Sequence, residues 1–155
     1  LILILIVFTK YNFPKASIFL GDSGSYFLGA FISVSVIKTS IVNPTISPFY
    51  FCILLFYLFF EVFFSFIRKI SIAKMSPLFP DTNHLHMLVY KYFLKKNKNK
   101  LRSNYYVSAV INSIYLVLII PAILMKDSGM FCKYYSIIFF IIYLISYKMI
   151  YEKTK

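Results

Sequence analysis

Long apolar blocks alternate with polar connections along this chain. The five blocks cover residues 1–8, 23–42, 48–67, 104–125 and 131–150. A helix of about 20 apolar residues crosses the hydrocarbon core of a bilayer, so the pattern predicts four complete membrane spans and the end of a fifth. The expected fold class is therefore all-α, a multi-spanning transmembrane helix bundle, with residues 1–155 forming a single membrane domain.

The charged residues lie mostly in the connections, and their distribution predicts the orientation of the bundle. Fourteen of the 17 Lys and Arg residues fall on one predicted side of the membrane, most of them in the long basic loop 68–103. Lys and Arg collect in cytoplasmic loops. We therefore expect an inner or plasma membrane protein whose Asp22 and 68–103 loop are both cytoplasmic.

Composition limits the class of protein and its partners. The chain is 60% hydrophobic and only 14% charged, whereas soluble domains are about 25% charged. Topology and attraction to anionic lipid headgroups explain the net charge of +12, so the lipid bilayer is an expected partner and nucleic acid is not. Phe and Tyr are so frequent, 18 and 14 residues, that an aromatic stripe is weak support for a functional site.

The stretch GDSGS at residues 21–25 places one acid, Asp22, at the start of an apolar block. Gly21, Ser25, Gly29 and Ser33 recur every four residues, which predicts a small-residue stripe that allows close helix approach. Asp22 has two interpretations that local sequence leaves open. It is either a cap of the helix start or an acid with a chemical role at the membrane edge.

Glu61 is the second notable acid, because it falls inside a predicted span. An ionisable group there is costly and usually faces a partner or a wet cavity. One interpretation is an interaction with Arg68 or Lys69 near the interface. The other is that Glu61 lines a polar cleft.

The basic loop contains both histidines of the chain. Pro77 and Pro80 argue against a continuous helix, and PDTNH at 80–84 predicts a turn and a cap before a short amphipathic helix. The apolar face of that helix, which includes Leu85 and Leu88, is expected to lie on the membrane surface. On a helix His84 and His86 would diverge by about 200°, which is unlike the i, i+4 pair of zinc helices.

Three of these stretches together resemble the polyprenyl-phosphate N-acetylhexosamine-1-phosphate transferases of glycosyl transferase family 4. NFPKASIFLGDSGSYFLG (12–29) is similar to the family's Asn-containing loop and GDxGS segment. FFEVFFSFIRKI (59–70) resembles the helix that leads into the next cytoplasmic loop. SPLFPDTNHLHML (76–88) resembles the PDxxHxH loop, with Thr82 and Met87 at positions where the family often has Arg and His.

The resemblance implies the transfer of a sugar-1-phosphate from a UDP-sugar to a polyprenyl phosphate lipid carrier, with release of UMP, in bacterial envelope polysaccharide or cell-wall biosynthesis. It implies Mg²⁺, with Mn²⁺ as an alternative, and Asp22 as the metal ligand. Asn12 would orient the substrate or Asp22, and His84 and His86 would contact the diphosphate. Arg68 would attract phosphate and Glu61 would line the substrate cleft.

The family's adjacent Asp pair has no counterpart in these 155 residues. We therefore expect the chain to correspond to the C-terminal half of such a transferase and to be inactive alone. A non-catalytic remnant or assembly protein that keeps the fold is the main alternative. A transporter with Asp22 and Glu61 on an ion path is a third reading, and a homodimer is compatible with the sequence.

Overall fold

The structure is a computed structural model that describes residues 1–13, 16–71, 74, 76 and 81–154. Within these residues all regular secondary structure is α-helical, which confirms the predicted fold class. The seven helices are α1 (Ile2–Asn12), α2 (Gly21–Val42), α3 (Pro48–Leu54), α4 (Phe56–Ser71), α5 (Leu85–Asn97), α6 (Lys100–Leu124) and α7 (Gly129–Thr154). Pro77 and Pro80, which argued against a helix before the histidines, lie outside the described residues.

Three helices, α2, α6 and α7, are long and apolar enough to cross a membrane. The predicted span over 48–67 is not one continuous helix. It consists of α3 and α4, which are bent by 76° relative to each other. The described chain therefore has three spans, or four if the bent pair counts as one, and α1 is a shorter apolar helix.

The bend between α3 and α4 falls at Leu55, in a run with neither proline nor glycine. A helix break exposes backbone carbonyls, which need partners inside a membrane. The Tyr115 hydroxyl on α6 lies 2.8 Å from the Ile53 carbonyl and 2.7 Å from the Leu54 carbonyl. A side chain about 60 residues away thus provides the hydrogen bond that the broken helix lacks.

Helix α5 packs into the bundle instead of lying on the membrane surface, so that expectation was wrong. Leu85, Leu88 and Val89 are buried in one cluster with Phe60 of α4 and Tyr143 of α7. Leu88 is only 2% exposed. The amphipathic pattern was correct, but the apolar face covers α4, α6 and α7.

The contacts separate two ends of the bundle. At one end the Lys95 ammonium donates to the Thr154 carbonyl at 3.1 Å, and Lys153 lies over the Tyr92 ring. At the other end the Ser47 N–H donates to the Lys126 carbonyl at 2.9 Å, which joins the two short connections. The basic loop and the end of α7 therefore share one end, as the charge distribution predicted.

Helix α2 has no buried residue. A Cβ added at Gly21 or Gly29 would meet nothing within 4 Å. The Ser25 and Ser33 hydroxyls donate back to the carbonyls of Gly21 and Gly29, both at 2.9 Å. Close packing onto the small-residue stripe is therefore not seen among the residues that the structure describes.

Candidate functional site

A buried carboxylate, Glu61, joins three helices at the basic end of the bundle. Its Oε1 accepts from the Leu85 N–H at 2.8 Å and lies 3.1 Å from Nδ1 of His84. Its Oε2 accepts from the Tyr143 hydroxyl at 2.6 Å. Glu61 is 7% exposed. Such an acid is stable in a span because each oxygen has donors, and it ties α4 to the start of α5 and to α7.

Arg68, the residue that one interpretation paired with Glu61, instead pairs with Asp81. The two side chains are 11% and 7% exposed. The Ser65 hydroxyl donates to Asp81 at 2.8 Å, and the Asn83 N–H donates to the same carboxylate at 2.9 Å. The expected Glu61–Arg68 interaction was therefore wrong, because Asp81 occupies the position beside the guanidinium.

The Asp81 carboxylate lies outside the spans and is held in its ionised form. Burial alone would raise the pKa of Asp81. The hydrogen bonds from Asn83 and Ser65 and the positive charge of Arg68 outweigh that effect, so the pKa of Asp81 lies below its ordinary value. The Asp81–Asn83 turn thereby fixes the backbone immediately before His84.

His84 and His86 do not diverge as two residues on one helix would. His84 is the N-cap residue of α5, with an extended backbone at φ −65° and ψ 150°, and only His86 is helical. Their rings stack with centroids 5.6 Å apart and planes 13° apart. Burial, with a smaller effect of His84, lowers the pKa of His86 against the opposing charge of Glu61.

Asn12 and Asp22 lie at the two ends of the connection between α1 and α2. The Asn12 side-chain amide donates to the Ile18 carbonyl at 2.8 Å, which fixes the path of the chain before Asp22. Phe13 packs against Tyr105 near the start of α6, with ring centroids 5.5 Å apart. This connection therefore lies at the same end of the bundle as the basic loop.

Asp22 does not cap its helix, so the capping interpretation was wrong. The N-cap of α2 is Leu20, which makes no side-chain capping bond, and Asp22 lies exposed in the first turn. A carboxylate in the first turn still interacts favourably with the helix dipole. Its oxygens remain accessible to a ligand from solvent.

Asp22 fits the role of one Mg²⁺ ligand, although not that of a complete site. Mg²⁺ usually takes one or two carboxylates together with substrate phosphates and water, and an exposed carboxylate suits this chemistry. No group of three or more His, Cys, Asp or Glu side chains that could hold a metal occurs in the described part of the chain. Glu61 and Asp81 are already occupied by protein donors.

The structure thus gathers the six predicted site residues into two sets at one end of the bundle. Glu61 and His84 are in contact, His86 stacks on His84, and Arg68 lies one turn from Ser65 in the neighbouring network. Asn12 and Asp22 form the second set. No hydrogen bond or ion pair among the described residues joins Asp22 to the histidines.

Sequence reasoning missed the polar partners of this site. They are Ser65, Asp81, Asn83, Tyr143 and Tyr147. The Tyr147 hydroxyl donates to the Asn83 carbonyl at 3.0 Å, so α7 contributes two tyrosines one turn apart. Their i, i+4 spacing was the available signal, but the abundance of Tyr in this chain made it uninformative.

Comparisons with known proteins point to one family. The pattern described as "Glycosyl transferase family 4" matches residues 1–40, a stretch that contains Asn12 and Asp22. The chain is 38% identical over 82 residues, or 53% of its length, to the undecaprenyl-phosphate alpha-N-acetylglucosaminyl 1-phosphate transferase of Thermotoga maritima. It is 32% identical over 145 residues, or 88% of its length, to the probable undecaprenyl-phosphate N-acetylglucosaminyl 1-phosphate transferase of Bacillus subtilis.

These matches cover 26% and 36% of the two relatives. The chain therefore spans about a third or less of the length of the curated relatives that it matches. No solved structure matches the chain.

Proposed function

Since this chain belongs to glycosyl transferase family 4, the polyprenyl-phosphate N-acetylhexosamine-1-phosphate transferases, we propose that it takes part in sugar-1-phosphate transfer. The donor is a UDP-sugar and the acceptor is a polyprenyl phosphate in the membrane. An oxygen of the acceptor phosphate attacks the β-phosphorus of the donor, the bond to UMP breaks, and a polyprenyl-diphosphate-sugar forms. The observation that carries the proposal is the family match over residues 1–40, which contain Asn12 and Asp22.

Asp22 is the proposed metal ligand of this chain. A bound Mg²⁺, or Mn²⁺, would neutralise charge on the diphosphate oxygens during transfer. Asp22 is suited to hold it because its carboxylate is exposed at the basic end of the bundle, in the first turn of α2. Asn12 supports Asp22 indirectly, since its bond to the Ile18 carbonyl orders the segment that leads into α2.

His84 and His86 are the proposed contacts to the nucleotide diphosphate. Both rings lie at the edge of the polar network, and the side chain of His84 is 27% exposed. Imidazole and imidazolium N–H groups are suitable donors to phosphate oxygens. Arg68 and Asp81 hold the backbone of this loop, and the surrounding Lys residues add a positive field that attracts the donor.

We further propose that residues 1–155 do not catalyse transfer alone. Asp22 is the only acid within residues 1–40, the stretch that the family pattern matches, and phosphoryl transfer needs charge stabilisation on several oxygens. The complementary acids would come from the part of the family's length that the match does not cover. We propose that the reaction takes place at the inner or plasma membrane. This end of the bundle would face the cytoplasm.

A chimera tests the proposal. Residues 1–155 replace the aligned portion of the Bacillus subtilis relative, and membranes are assayed with UDP-N-acetylglucosamine, undecaprenyl phosphate and Mg²⁺. We expect transfer by the chimera and none by residues 1–155 alone. Asp22→Asn should lower transfer by about 10²–10³-fold, while the matched control Asp127→Asn, at the opposite end of the bundle, should leave it unchanged.

Three results would contradict this assignment. An inserted but inactive chimera would favour the non-catalytic alternative. Near-normal activity of Asp22→Asn would remove Asp22 from the site, and turnover by residues 1–155 alone would show the rest to be dispensable.

A further inference from the structure

The imidazole ring of His84 has a hydrogen-bond partner at Nδ1 and not at Nε2 among the described residues. Its Nδ1 lies 3.1 Å from Oε1 of Glu61, and its own backbone carbonyl accepts from the Leu88 N–H at 2.9 Å at the start of α5. The ring stacks on His86. Nε2 is on the opposite edge of the imidazole and has no hydrogen-bond partner among the described residues.

Both oxygens of Glu61 have hydrogen-bond donors besides His84. The Leu85 N–H can only donate, so Oε1 accepts there, and the Tyr143 hydroxyl donates to Oε2. An ionised carboxylate is an acceptor only. With Glu61 ionised, the contact from Oε1 to His84 requires a proton on Nδ1, in both the neutral and the charged form of the ring.

We propose that Glu61 is a positioning residue, which holds a proton on Nδ1 of His84 and fixes the ring with Nε2 on the edge away from Glu61, so that the doubly protonated ring donates Nε2–H to a phosphate oxygen of the nucleotide diphosphate. The substrate-facing half of this inference rests on the proposed function. Which nitrogen of a histidine is protonated is set by the hydrogen bond that the other nitrogen makes. In the charged ring Nε2–H is a donor to an anionic oxygen, and Glu61 itself touches no substrate.

The role differs from simple packing of the loop. Glu61 is buried and faces His84 from α4, while Tyr147 on α7 stabilises the same loop one residue earlier, through the Asn83 carbonyl at 3.0 Å. Loss of either contact loosens the start of α5. Only loss of Glu61 removes the group that selects the protonated nitrogen of His84.

Nuclear magnetic resonance of the ring nitrogens tests this directly, because the chain has only two histidines. The chain is labelled with ¹⁵N-histidine in lipid nanodiscs, and His86→Gln assigns the remaining signals. We expect His84 to be protonated on Nδ1. In Glu61→Ala that population should fall at least about twofold, whereas the matched control Tyr147→Phe and the conservative variant Glu61→Asp should retain it.

A second arm measures the consequence in the active chimera. Glu61→Ala should raise KM for the UDP-sugar by about 10-fold, as loss of a partner that orients a site histidine does. In a His84→Ala background it should raise KM no further, because the residue through which it acts is already gone. Asp127→Asn, at the opposite end of the bundle, should leave KM unchanged.

The outcomes separate the two proposals. A neutral His84 protonated on Nε2, or a Nδ1 population unchanged in Glu61→Ala, would overturn the positioning role even if the chimera is active. Additive effects of Glu61→Ala and His84→Ala on KM would overturn it as well. An inactive chimera with the expected ring signals would instead overturn the proposed function, and the contact to nucleotide with it.

Discussion

At the scale of single residues, breaking the Arg68–Asp81 pair is expected to lower stability strongly. Both side chains are nearly buried, so Asp81→Asn leaves the guanidinium charge without its counter-ion. Removing one partner of a buried ion pair costs about 3–5 kcal/mol. The measurement is thermal unfolding in detergent followed by circular dichroism. Asp127→Asn, an exposed acid, should change the midpoint little, and equal effects would contradict this role.

The same pair predicts how stability depends on acid. The pKa of Asp81 in the folded chain is below its ordinary value of 3.8, so the stabilisation is fully present above pH 3.8. It is lost as the pH falls through the lower, folded-state pKa, because protonation then favours the unfolded chain. The wild type should therefore lose more stability than Asp81→Asn between pH 5 and strongly acidic pH.

How far the site could be predicted also differs residue by residue. Asp22, Glu61 and the two histidines could be found because each is rare in its surroundings: an acid at a span edge, an acid within a span, and the only two imidazoles. Asp81 was not selected as a site residue, although it lies in the same loop as the histidines. Its role depends on contacts with Arg68 and Ser65, which form only in the folded chain. Pairing of this kind is decided by packing, which local sequence does not contain.

At the scale of elements, the break at Leu55 could not be predicted. Residues 53–56 read Ile, Leu, Leu, Phe, so they carry neither the proline nor the glycine that usually marks a kink. The partner of the freed carbonyls, Tyr115, lies on α6. The break therefore depends on a contact between helices and not on the residues at which it occurs.

Tyr115→Phe tests this explanation. It removes the hydroxyl that lies within hydrogen-bond distance of the Ile53 and Leu54 carbonyls, and we expect a loss of about 1–2 kcal/mol in unfolding free energy. Tyr135→Phe is the matched control, since its hydroxyl donates to Leu118 within α6, where the helix already serves that carbonyl. Equal losses in the two variants would show that the break needs no special partner.

For helix α5, the sequence predicted the amphipathic pattern correctly but not the surface that its apolar face covers. Amphipathic periodicity identifies the apolar face of a helix but not what covers it. Leu88→Ala should cost about 2–5 kcal/mol, because the side chain is 2% exposed in the cluster with α4 and α7. Leu101→Ala, at a position that is 62% exposed, should be nearly neutral in the same unfolding measurement. If Leu88→Ala is neutral too, α5 does not pack on the bundle.

At the scale of the whole molecule, the charge distribution predicted which connections share an end. The Lys95–Thr154 and Ser47–Lys126 contacts agree with it, because alternating spans place every second connection together. What covers α2 could not be predicted in the same way. Its small-residue stripe is visible in the sequence, yet the described residues leave the stripe open.

The absolute orientation of the two ends is the remaining prediction at this scale. Lys and Arg near the ends of spans are retained in the cytoplasm, and the sequence pattern assigns 14 of 17 to the predicted side that holds the histidines. Single cysteines report the side, in a Cys52→Ala background that leaves only the buried Cys132. Lys98→Cys marks the basic end and Asp127→Cys the opposite end, both at exposed positions.

In right-side-out membrane vesicles, a membrane-impermeant maleimide should label Asp127→Cys at once and Lys98→Cys only after permeabilisation. The chain with Cys132 alone controls for reaction of the native thiol. The reverse pattern would place His84 and Asp22 outside, where a cytoplasmic UDP-sugar cannot reach them. Such a result would remove the donor from the proposed reaction even if the fold is as described, because the same end of the bundle carries both sets of site residues.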